Sequence, residues 1–283
     1  MSGGDKLSIQ EVCRRAAQLP CSPKLLPRLI DAMRETDTGA DRIGDVIRQD
    51  AGLAASTLRL ANSAAYGREI AIADITQAIV VLGRREIYRI AAAAMLARWE
   101  EAHQDTLPWS PGAFSQHCRA VAVTAEVLAD LMDLGNATSA YTAGLVGDIG
   151  RLALAFICSG SYPEIGAGVR SGDGGWDAAE LRVLGFNSRD VGVSLMRSWN
   201  FPPAFITMIE FLPNPESAPE ADRPFLAQMH AARYLANSLG PAGASAEFFF
   251  EPQPEFLARH GYTVAVLKTA LEKAGSRLRG KSG

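Results

Sequence analysis

The sequence lacks the features that mark several protein classes. Its 283 residues contain no run approaching the ~18 uninterrupted apolar residues that a membrane-spanning helix needs. Residues 1–19 are charged and show no apolar segment followed by a small-residue cleavage site, so we predict no signal peptide and a cytoplasmic protein. With 28 basic and 31 acidic residues the net charge is −3, which gives no electrostatic case for nonspecific binding to nucleic acid or membranes.

Cysteine and histidine are scarce. None of the four cysteines stands in a C-x-x-C pair or at zinc-ligand spacing from a histidine, and we expect reduced, mostly buried thiols. A metal site built from histidine alone would need nearly all four histidines of the chain. No spacing indicates a Ser–His–Asp or Cys–His nucleophile, because the adjacent residues His117 and Cys118 point to different faces of a helix. The sequence predicts no catalytic nucleophile.

Helical periodicity is present almost everywhere. Apolar residues recur at three and four positions, and no alternating strand pattern is convincing, so we predict an all-α fold. In one example, Asp74 caps a helix and Gly83 ends it. The predicted helices cover about 8–19, 23–33, 41–49, 51–64, 74–82, 84–102, 111–132, 139–158, 177–184, 189–198, 203–211, 225–239 and 263–278.

A polar, proline-containing segment at 101–111 marks a boundary between two helical lobes. We assign residues 1–105 to an N-terminal lobe, 106–212 to a second lobe, and 213–283 to C-terminal helices that complete the second lobe and end in a flexible basic tail. The proline-rich segment 213–224 is a predicted connector.

Three further segments receive structural interpretations. The glycine-rich stretch 166–175 follows a helix and lacks the P-loop pattern, so we predict a flexible loop. The basic residues of 273–281 are predicted to form a solvated, frayed end. Phe248, Phe249 and Phe250 lie outside the predicted helices, and we expect them to cover the core.

Asp148 interrupts an apolar helical stretch, where an ionised carboxylate is costly without a partner. His117 lies on the preceding long helix and is placed to face it. A structural hydrogen bond between the two is the favoured interpretation, because a zinc site needs at least three protein ligands.

Several ordered motifs carry a family resemblance. Residues 47–53 read IRQDAGL and 58–67 read LRLANSAAYG, followed by ITQAIVVLG at 75–83, GLVGDIG at 144–150 and WNFP at 199–202. Over about residues 18–240 the chain resembles HDOD domains, the HD-related output domains of bacterial signalling proteins. The resemblance implies a two-lobed all-α domain whose second lobe is related to the HD-domain superfamily, without its metal chemistry.

The HD metal-ligand pattern can be followed position by position through this resemblance. It places a histidine at His117, the His–Asp doublet at Gly147 and Asp148, a further histidine at Ser188, a histidine pair at about Leu212 and Pro213, and a late aspartate at about Arg233. Glycine, leucine and proline side chains cannot bind a metal, and an arginine repels one. We therefore predict no metal, no cofactor and no catalysis, with His117 and Asp148 as vestiges of the site.

Asn62, Ser63 and Tyr66 are the most recognisable residues of the N-terminal lobe. Asn and Ser compete well for backbone hydrogen bonds and commonly end helices, which gives a local structural interpretation. The alternative is a surface that binds a partner or ligand. Both interpretations stay open.

The expected function is that of a non-enzymatic signal-transduction module that binds a regulatory protein partner. The resemblance implies a link to response regulation or to cyclic-dinucleotide signalling, and a cyclic dinucleotide or another small ligand is a further candidate partner. The alternatives are a residual HD-type phosphohydrolase using His117 and Asp148, and a nucleotide- or DNA-binding regulator. Nucleic acid is disfavoured because no helix carries a dense basic stripe. Gly147 would leave room for a ligand or for repacked side chains.

Overall fold

The computed structural model of the chain describes residues 7–18, 25–34, 39–66, 71–170, 175–239 and 248–279. All regular secondary structure in these ranges is helical, and the described residues contain no strand. The prediction of an all-α fold is confirmed.

Sixteen α-helices are present within the described ranges, joined by short turns, several of them 3-10 helical. They are α1 (Ile9–Gln18), α2 (Leu26–Arg34), α3 (Gly39–Arg48), α4 (Ala51–Ala61), α5 (Ile75–Leu82), α6 (Arg84–Glu101), α7 (Ala113–Leu131), α8 (Ala137–Val146), α9 (Ile149–Ile157), α10 (Tyr162–Arg170), α11 (Trp176–Leu184), α12 (Ser188–Ser198), α13 (Pro203–Phe211), α14 (Arg223–Ala236), α15 (Pro254–Arg259) and α16 (Val264–Leu278).

Short polar residues set several of these helix ends. The side chain of Asp74 accepts a hydrogen bond from the backbone N–H of Gln77 at 2.8 Å, so it caps α5 as predicted. Asp50 caps α4 in the same way through the N–H of Leu53 at 2.8 Å. Gly83 then turns the chain from α5 into α6 at a φ of +81°, a conformation that favours glycine.

The core is one continuous cluster of buried side chains. The long helix α7 lies at its centre and packs against α6, α8, α14 and α16, while α1 packs against α9 and α12. Cys13, Cys118 and Cys158 are buried free thiols, as expected, and Cys21 lies outside the described residues. The division of the chain at residues 105 and 212 stays a prediction.

The single long helix predicted for 139–158 is wrong. The chain forms α8 and α9 instead, because Asp148 leaves the helical conformation at φ −103° and ψ 15°. The side chain of Asp148 is held by groups outside these helices, which are described below. Among the described residues, Ala137–Ile157 is the one stretch apolar and long enough to suit a membrane span, but 72% of its apolar 18-residue window is buried within the fold, as in the core of a globular protein.

The predicted loop at 166–175 is also wrong over its first half. Gly166 and Gly168 belong to α10, which packs against α11. A Cβ at Gly168 would meet the flexible guanidinium group of Arg182 and would lie at an ordinary distance of 3.6 Å from Cβ of Ala179 on α11. These glycines therefore lie within a helix and not in a loop, while Gly172 and Gly174 lie outside the described residues.

The basic tail is not frayed at Arg277. Arg277 belongs to α16, and its guanidinium group pairs with Glu126 at 3.3 Å and with Asp130 at 3.0 Å. The structure also adds α15, which sequence analysis missed because it is a six-residue helix. The connector predicted at 213–224 is confirmed as far as Asp222, since residues 213–222 contain two short 3-10 turns, but α14 already begins at Arg223.

Candidate functional site

The centre of the candidate site is a buried cluster of three side chains from three parts of the chain. His117 comes from α7, Asp148 from the break between α8 and α9, and Arg233 from α14. Nη1 and Nη2 of Arg233 donate to the two carboxylate oxygens of Asp148 at 2.8 and 2.9 Å. Nε2 of His117 lies 3.2 Å from Oδ2 of Asp148. The predicted structural pairing of His117 with Asp148 is present, and Arg233 joins it.

The charges of the cluster follow from its burial and its pairing. Burial opposes ionisation of Asp148, but the charge of Arg233 and the hydrogen bond from His117 outweigh it and lower the pKa of the carboxyl group. Burial lowers the pKa of His117, against the opposing effect of Asp148. A neutral imidazole beside an ionised carboxylate must carry its proton on Nε2, because the carboxylate can only accept. The cluster is therefore a buried ion pair between Asp148 and Arg233, to which the neutral His117 donates a hydrogen bond.

Aromatic rings cover the cluster. The ring of Phe248 stacks on His117 with centroids 4.7 Å apart, and the guanidinium group of Arg233 lies 5.2 Å from the ring centre of Phe250. Phe248 is 5% exposed, so the prediction that it covers the core is correct. Phe249 is 64% exposed, so for this residue the prediction is wrong.

A cavity of about 410 Å³ opens beside the cluster, and we call it the Asp148 cavity. It contains the positions to which the family resemblance assigned metal ligands other than His117. These are Gly147, Asp148, Ser188, Leu212, Pro213 and Arg233. His117 reaches the same place through its contact with Asp148. The structure thus brings the mapped positions together, including Arg233, which the sequence placed only approximately.

The residues of this cavity do not fit a metal ion. Both carboxylate oxygens of Asp148 are occupied by the guanidinium group of Arg233, a permanent cation. A Cβ at Gly147 would lie 3.0 Å from the carbonyl oxygen of Ala143, which is a tight contact, and 3.8 Å from Nη1 of Arg233. Within the described ranges no group of three or more His, Cys, Asp or Glu side chains is arranged to hold a metal. Arg233 provides the positive charge that Asp148 requires.

Sequence analysis missed several further residues of the cavity wall. Arg151 lies in the first turn of α9, and its guanidinium carbon is 5.6 Å from the ring centre of Trp176 at the start of α11. The available signal was a second charge in the apolar stretch that carries Asp148. On the same wall, Arg189 pairs with Asp177 at 2.9 Å. The wall therefore combines guanidinium groups with aromatic rings.

The predicted partner surface is engaged in local contacts. The side-chain amide of Asn62 donates to the carbonyls of Leu58 and Ile72, and its oxygen accepts from the N–H of Ile72 at 2.7 Å. The hydroxyl of Tyr66 donates to Glu86 at 2.6 Å. Ser63 accepts a backbone hydrogen bond from Tyr66 at 3.0 Å. The structural interpretation accounts for Asn62, and binding at this surface stays a prediction.

Comparison with known structures shows the same fold in proteins of low sequence identity. An HDOD domain protein of unknown function from Geobacter sulfurreducens aligns over 95% of both chains, with 20% identity and a TM-score of 0.74. A protein from Shewanella amazonensis SB2B, provisionally named a phosphohydrolase, aligns over 96% of this chain and 98% of its own, with 22% identity and a TM-score of 0.66.

A third similar structure is larger. A protein from Marinobacter aquaeolei VT8, provisionally named a signal transduction protein, has 20% identity and a TM-score of 0.74; the match covers 95% of this chain and 59% of that one. No curated protein is significantly similar to the chain. The family model of the HDOD domain matches residues 19–215, which is more than half of the sequence. The chain therefore belongs to the HDOD domain family.

Proposed function

We propose that this HDOD protein is a non-catalytic signalling module that acts in bacteria by binding another protein. The observation that carries the proposal is the bidentate ion pair between Arg233 and Asp148. It occupies the point at which the metal-ligand positions of the HD pattern converge. The chain therefore has the HDOD fold, and the guanidinium group of Arg233 occupies the centre of the site in place of a metal ion.

The pairing argues against hydrolysis on physical grounds. Metal-dependent hydrolysis needs several protein ligands and an open coordination position for water. Here the retained carboxylate already makes two charge-assisted hydrogen bonds to Arg233, and Phe248 covers His117. A metal would have to displace a guanidinium group that is 11% exposed, which would then need a new partner. The residual phosphohydrolase alternative is not favoured by these contacts.

A nucleic-acid-binding function finds no support in the charges either. The basic side chains of the described residues are widely paired with acids, for example Arg85 and Arg277 with Asp130. Phosphate recognition relies on clustered basic groups that are available to the backbone of the nucleic acid. We therefore keep a protein partner as the proposed ligand, and the surface around Ser63 as its predicted location.

Affinity capture followed by a direct binding measurement tests this function. Proteins from an extract of the source cells that are retained by the immobilised full chain would be identified, purified and titrated against it. We expect saturable binding of a purified protein, which Ser63→Glu weakens because it adds a charge beside Tyr66. Ser159→Glu, in the 3-10 turn after α9, is the matched control and leaves the affinity unchanged.

Two results would count against the proposed function. One is failure to retain any specific protein in repeated captures under varied conditions. The other is turnover of a phosphodiester or nucleotide by the purified chain that Asp148→Asn abolishes, which would assign catalysis to the cluster.

A further inference from the structure

The Asp148 cavity has properties that the ion pair alone does not require. Its volume of about 410 Å³ lies within the range of roughly 300–1,000 Å³ typical of sites for small organic ligands. The replacement of metal ligands by smaller side chains at Gly147 and Ser188 has therefore not been compensated by complete filling of the space. The question is which chemistry the remaining cavity would accept.

The charges of the wall favour an anion. Three arginines line the cavity, Arg151, Arg189 and Arg233, against two aspartates, Asp148 and Asp177. The two aspartates are paired with Arg233 and Arg189. Behind the wall lies the buried Glu180, which accepts from the backbone N–H of Ser188 at 2.7 Å. Burial raises the pKa of Glu180, and the charge of Arg151 opposes that shift.

The helix ends around the cavity favour the same charge. The helices α9 and α11 both begin at its wall, at Ile149 and Trp176, and neither has a side-chain hydrogen bond capping its first turn. The N–H groups at a helix start carry a partial positive charge and bind oxyanions. By contrast α12, which also starts at this wall, is capped by Asn187 and Asp190. The starts of α9 and α11 thus lack a side-chain cap, although Asp148 precedes α9 and Asp177 lies in the first turn of α11, each paired with an arginine.

The hydrogen-bonding balance adds an independent observation. Buried donor atoms of residues that line the cavity, among them Nε1 of Trp176 and Nε of Arg233, have no hydrogen-bond partner among the described residues. A buried donor without a partner costs about 1–3 kcal/mol. No buried side-chain acceptor of the described wall is left unpartnered in the same way. The unpartnered buried side-chain groups of the wall are therefore donors.

The remainder of the wall is flat and apolar. Phe248, Phe249, Phe250 and Trp176 contribute aromatic rings, and Ile209 and Leu212 contribute aliphatic surface. Rings of this kind bind other flat rings by stacking and edge contacts. Guanidinium groups also recognise carboxylates and phosphates through paired hydrogen bonds.

We infer that the Asp148 cavity binds a small molecule that joins an oxyanion to a flat aromatic ring. Such an oxyanion could be a carboxylate or a phosphate, and Arg151 together with the starts of α9 and α11 would bind it. The aromatic rings of Trp176 and of residues 248–250 would contact the flat part. This inference goes beyond the proposed function and does not depend on the existence of a protein partner.

Calorimetric titration of the full chain with paired probes tests the inference. The anions are 2-naphthoate and adenosine 5′-monophosphate, and their neutral counterparts are 2-naphthamide and adenosine. We expect at least one anion to bind at a single saturable site and its neutral counterpart to bind about tenfold more weakly, the effect of one lost charge-assisted hydrogen bond. The two arms distinguish a carboxylate ligand from a phosphate ligand.

Two variants locate the binding. Gly175 lines the cavity, has a φ of −47°, and would have nothing within 4 Å of a Cβ, so Gly175→Phe adds a ring there with little strain. Gly160 is equally open but does not line the cavity, which makes Gly160→Phe the matched control. Gly175→Phe should weaken the anion about tenfold or more, while Gly160→Phe leaves it unchanged.

Arg151→Gln supplies a second test that does not rely on filling the cavity. It should weaken the anion and leave the neutral counterpart unaffected, so that the tenfold preference disappears. The inference is overturned if neither anion binds saturably. It is also overturned if the anions bind no better than the neutral probes, or if Gly175→Phe and Gly160→Phe bind the anion as the unmodified chain does.

Discussion

Two regions of the protein bury an acidic side chain among arginines, with different surroundings. Glu126 on α7 is 1% exposed and pairs with Arg85 at 2.8 Å, Arg89 at 3.2 Å and Arg277 at 3.3 Å. Asp148 pairs with one arginine, Arg233, and with a histidine. The first group joins α6, α7 and α16, and the second borders the Asp148 cavity.

The difference shows that a buried ion pair is not in itself a sign of function. A groove also lies beside Glu126, but the described residues that line it include no aromatic ring. Glu126 has redundant partners, as expected of a link between helices. Asp148 makes its bidentate ion pair with one arginine, at the position to which the family pattern assigns an aspartate, and it faces a cavity with aromatic walls. The aromatic residues of the surrounding wall, and not the burial of a charge, distinguish the candidate site from the Glu126 region.

Removal of Arg233 should have the largest effect. Arg233→Met removes the bidentate ion pair and leaves Asp148 as a buried charge beside His117, and we expect a loss of about 3–5 kcal/mol in the free energy of unfolding. The double variant Asp148→Asn with Arg233→Met should recover most of this loss, since no charge is then stranded. Denaturant unfolding monitored by circular dichroism measures both. A loss below about 1 kcal/mol for the single variant would mean that Asp148 is as redundantly paired as Glu126.

The next largest loss of stability is expected at the close contact between α9 and α12, which forms one side of the cavity. A Cβ at Gly150 would overlap the carbonyl oxygen of Ser188 and lie 2.8 Å from Cα of Gly192. Gly150→Ala should therefore destabilise the fold by about 1–3 kcal/mol, because backbone must move apart.

Gly192→Ala is the matched control for this contact. Its Cβ would lie 3.5 Å from the side chain of Ile209, which is an ordinary contact distance. Thermal unfolding of the two variants should show a clearly larger loss for Gly150→Ala. Equal losses would indicate that the contact between α9 and α12 does not limit the size of the side chain at position 150.

The histidine-containing region should make stability depend on pH. Burial lowers the pKa of His117 and brings that of His230 to about 4. In the unfolded chain both titrate near 6.5, so below that pH the unfolded state binds more protons and stability falls as the pH falls. Each histidine contributes at most about 1.4 kcal/mol per pH unit between its two pKa values.

His117→Gln checks this dependence, since glutamine can still donate to Asp148 but does not titrate. The slope of unfolding free energy between about pH 6.5 and 4.5 should decrease in this variant. Arg277→Met, in the Glu126 region without histidine, should keep the slope of the unmodified chain. An unchanged slope in His117→Gln would show that this histidine does not stay neutral in the fold.

The smallest effect is expected for Arg277→Met itself. The Arg277 side chain is 37% exposed, and Glu126 keeps Arg85 and Arg89 when it is removed. The loss in free energy of unfolding should be below about 1 kcal/mol, as for other partly exposed ion pairs. A loss as large as that of Arg233→Met would remove the distinction between the two regions.

Local signals in the sequence predicted much of the fold. Capping by Asp74 and the turn at Gly83 set α5 where it was expected, because both act within a few residues. The break at Asp148 was missed because its side chain is held by Arg233, which is distant in sequence, and the helical conformation of Gly168 was missed because glycine-rich stretches favour loops. Periodicity reports which face of a helix is buried but not which side chains meet across the core.

The candidate site was predictable only in part, because some of its residues belong to recognisable motifs and others do not. The family motifs identified His117, Asp148 and the mapped positions, and the structure brought these together in one cavity. That the arginine at position 233 forms the ion pair could not be read from composition or spacing. Arg151 and Trp176 were missed because their importance arises from the wall they share.

Elemental analysis of the purified chain, produced in medium supplemented with iron, manganese and zinc, tests most directly the claim that Arg233 serves in place of a metal. We predict a metal content well below one ion per chain, identical in the unmodified protein and in Asp148→Asn. A content of about one ion or more per chain that is lost in Asp148→Asn would contradict the claim and restore the metal-dependent alternative.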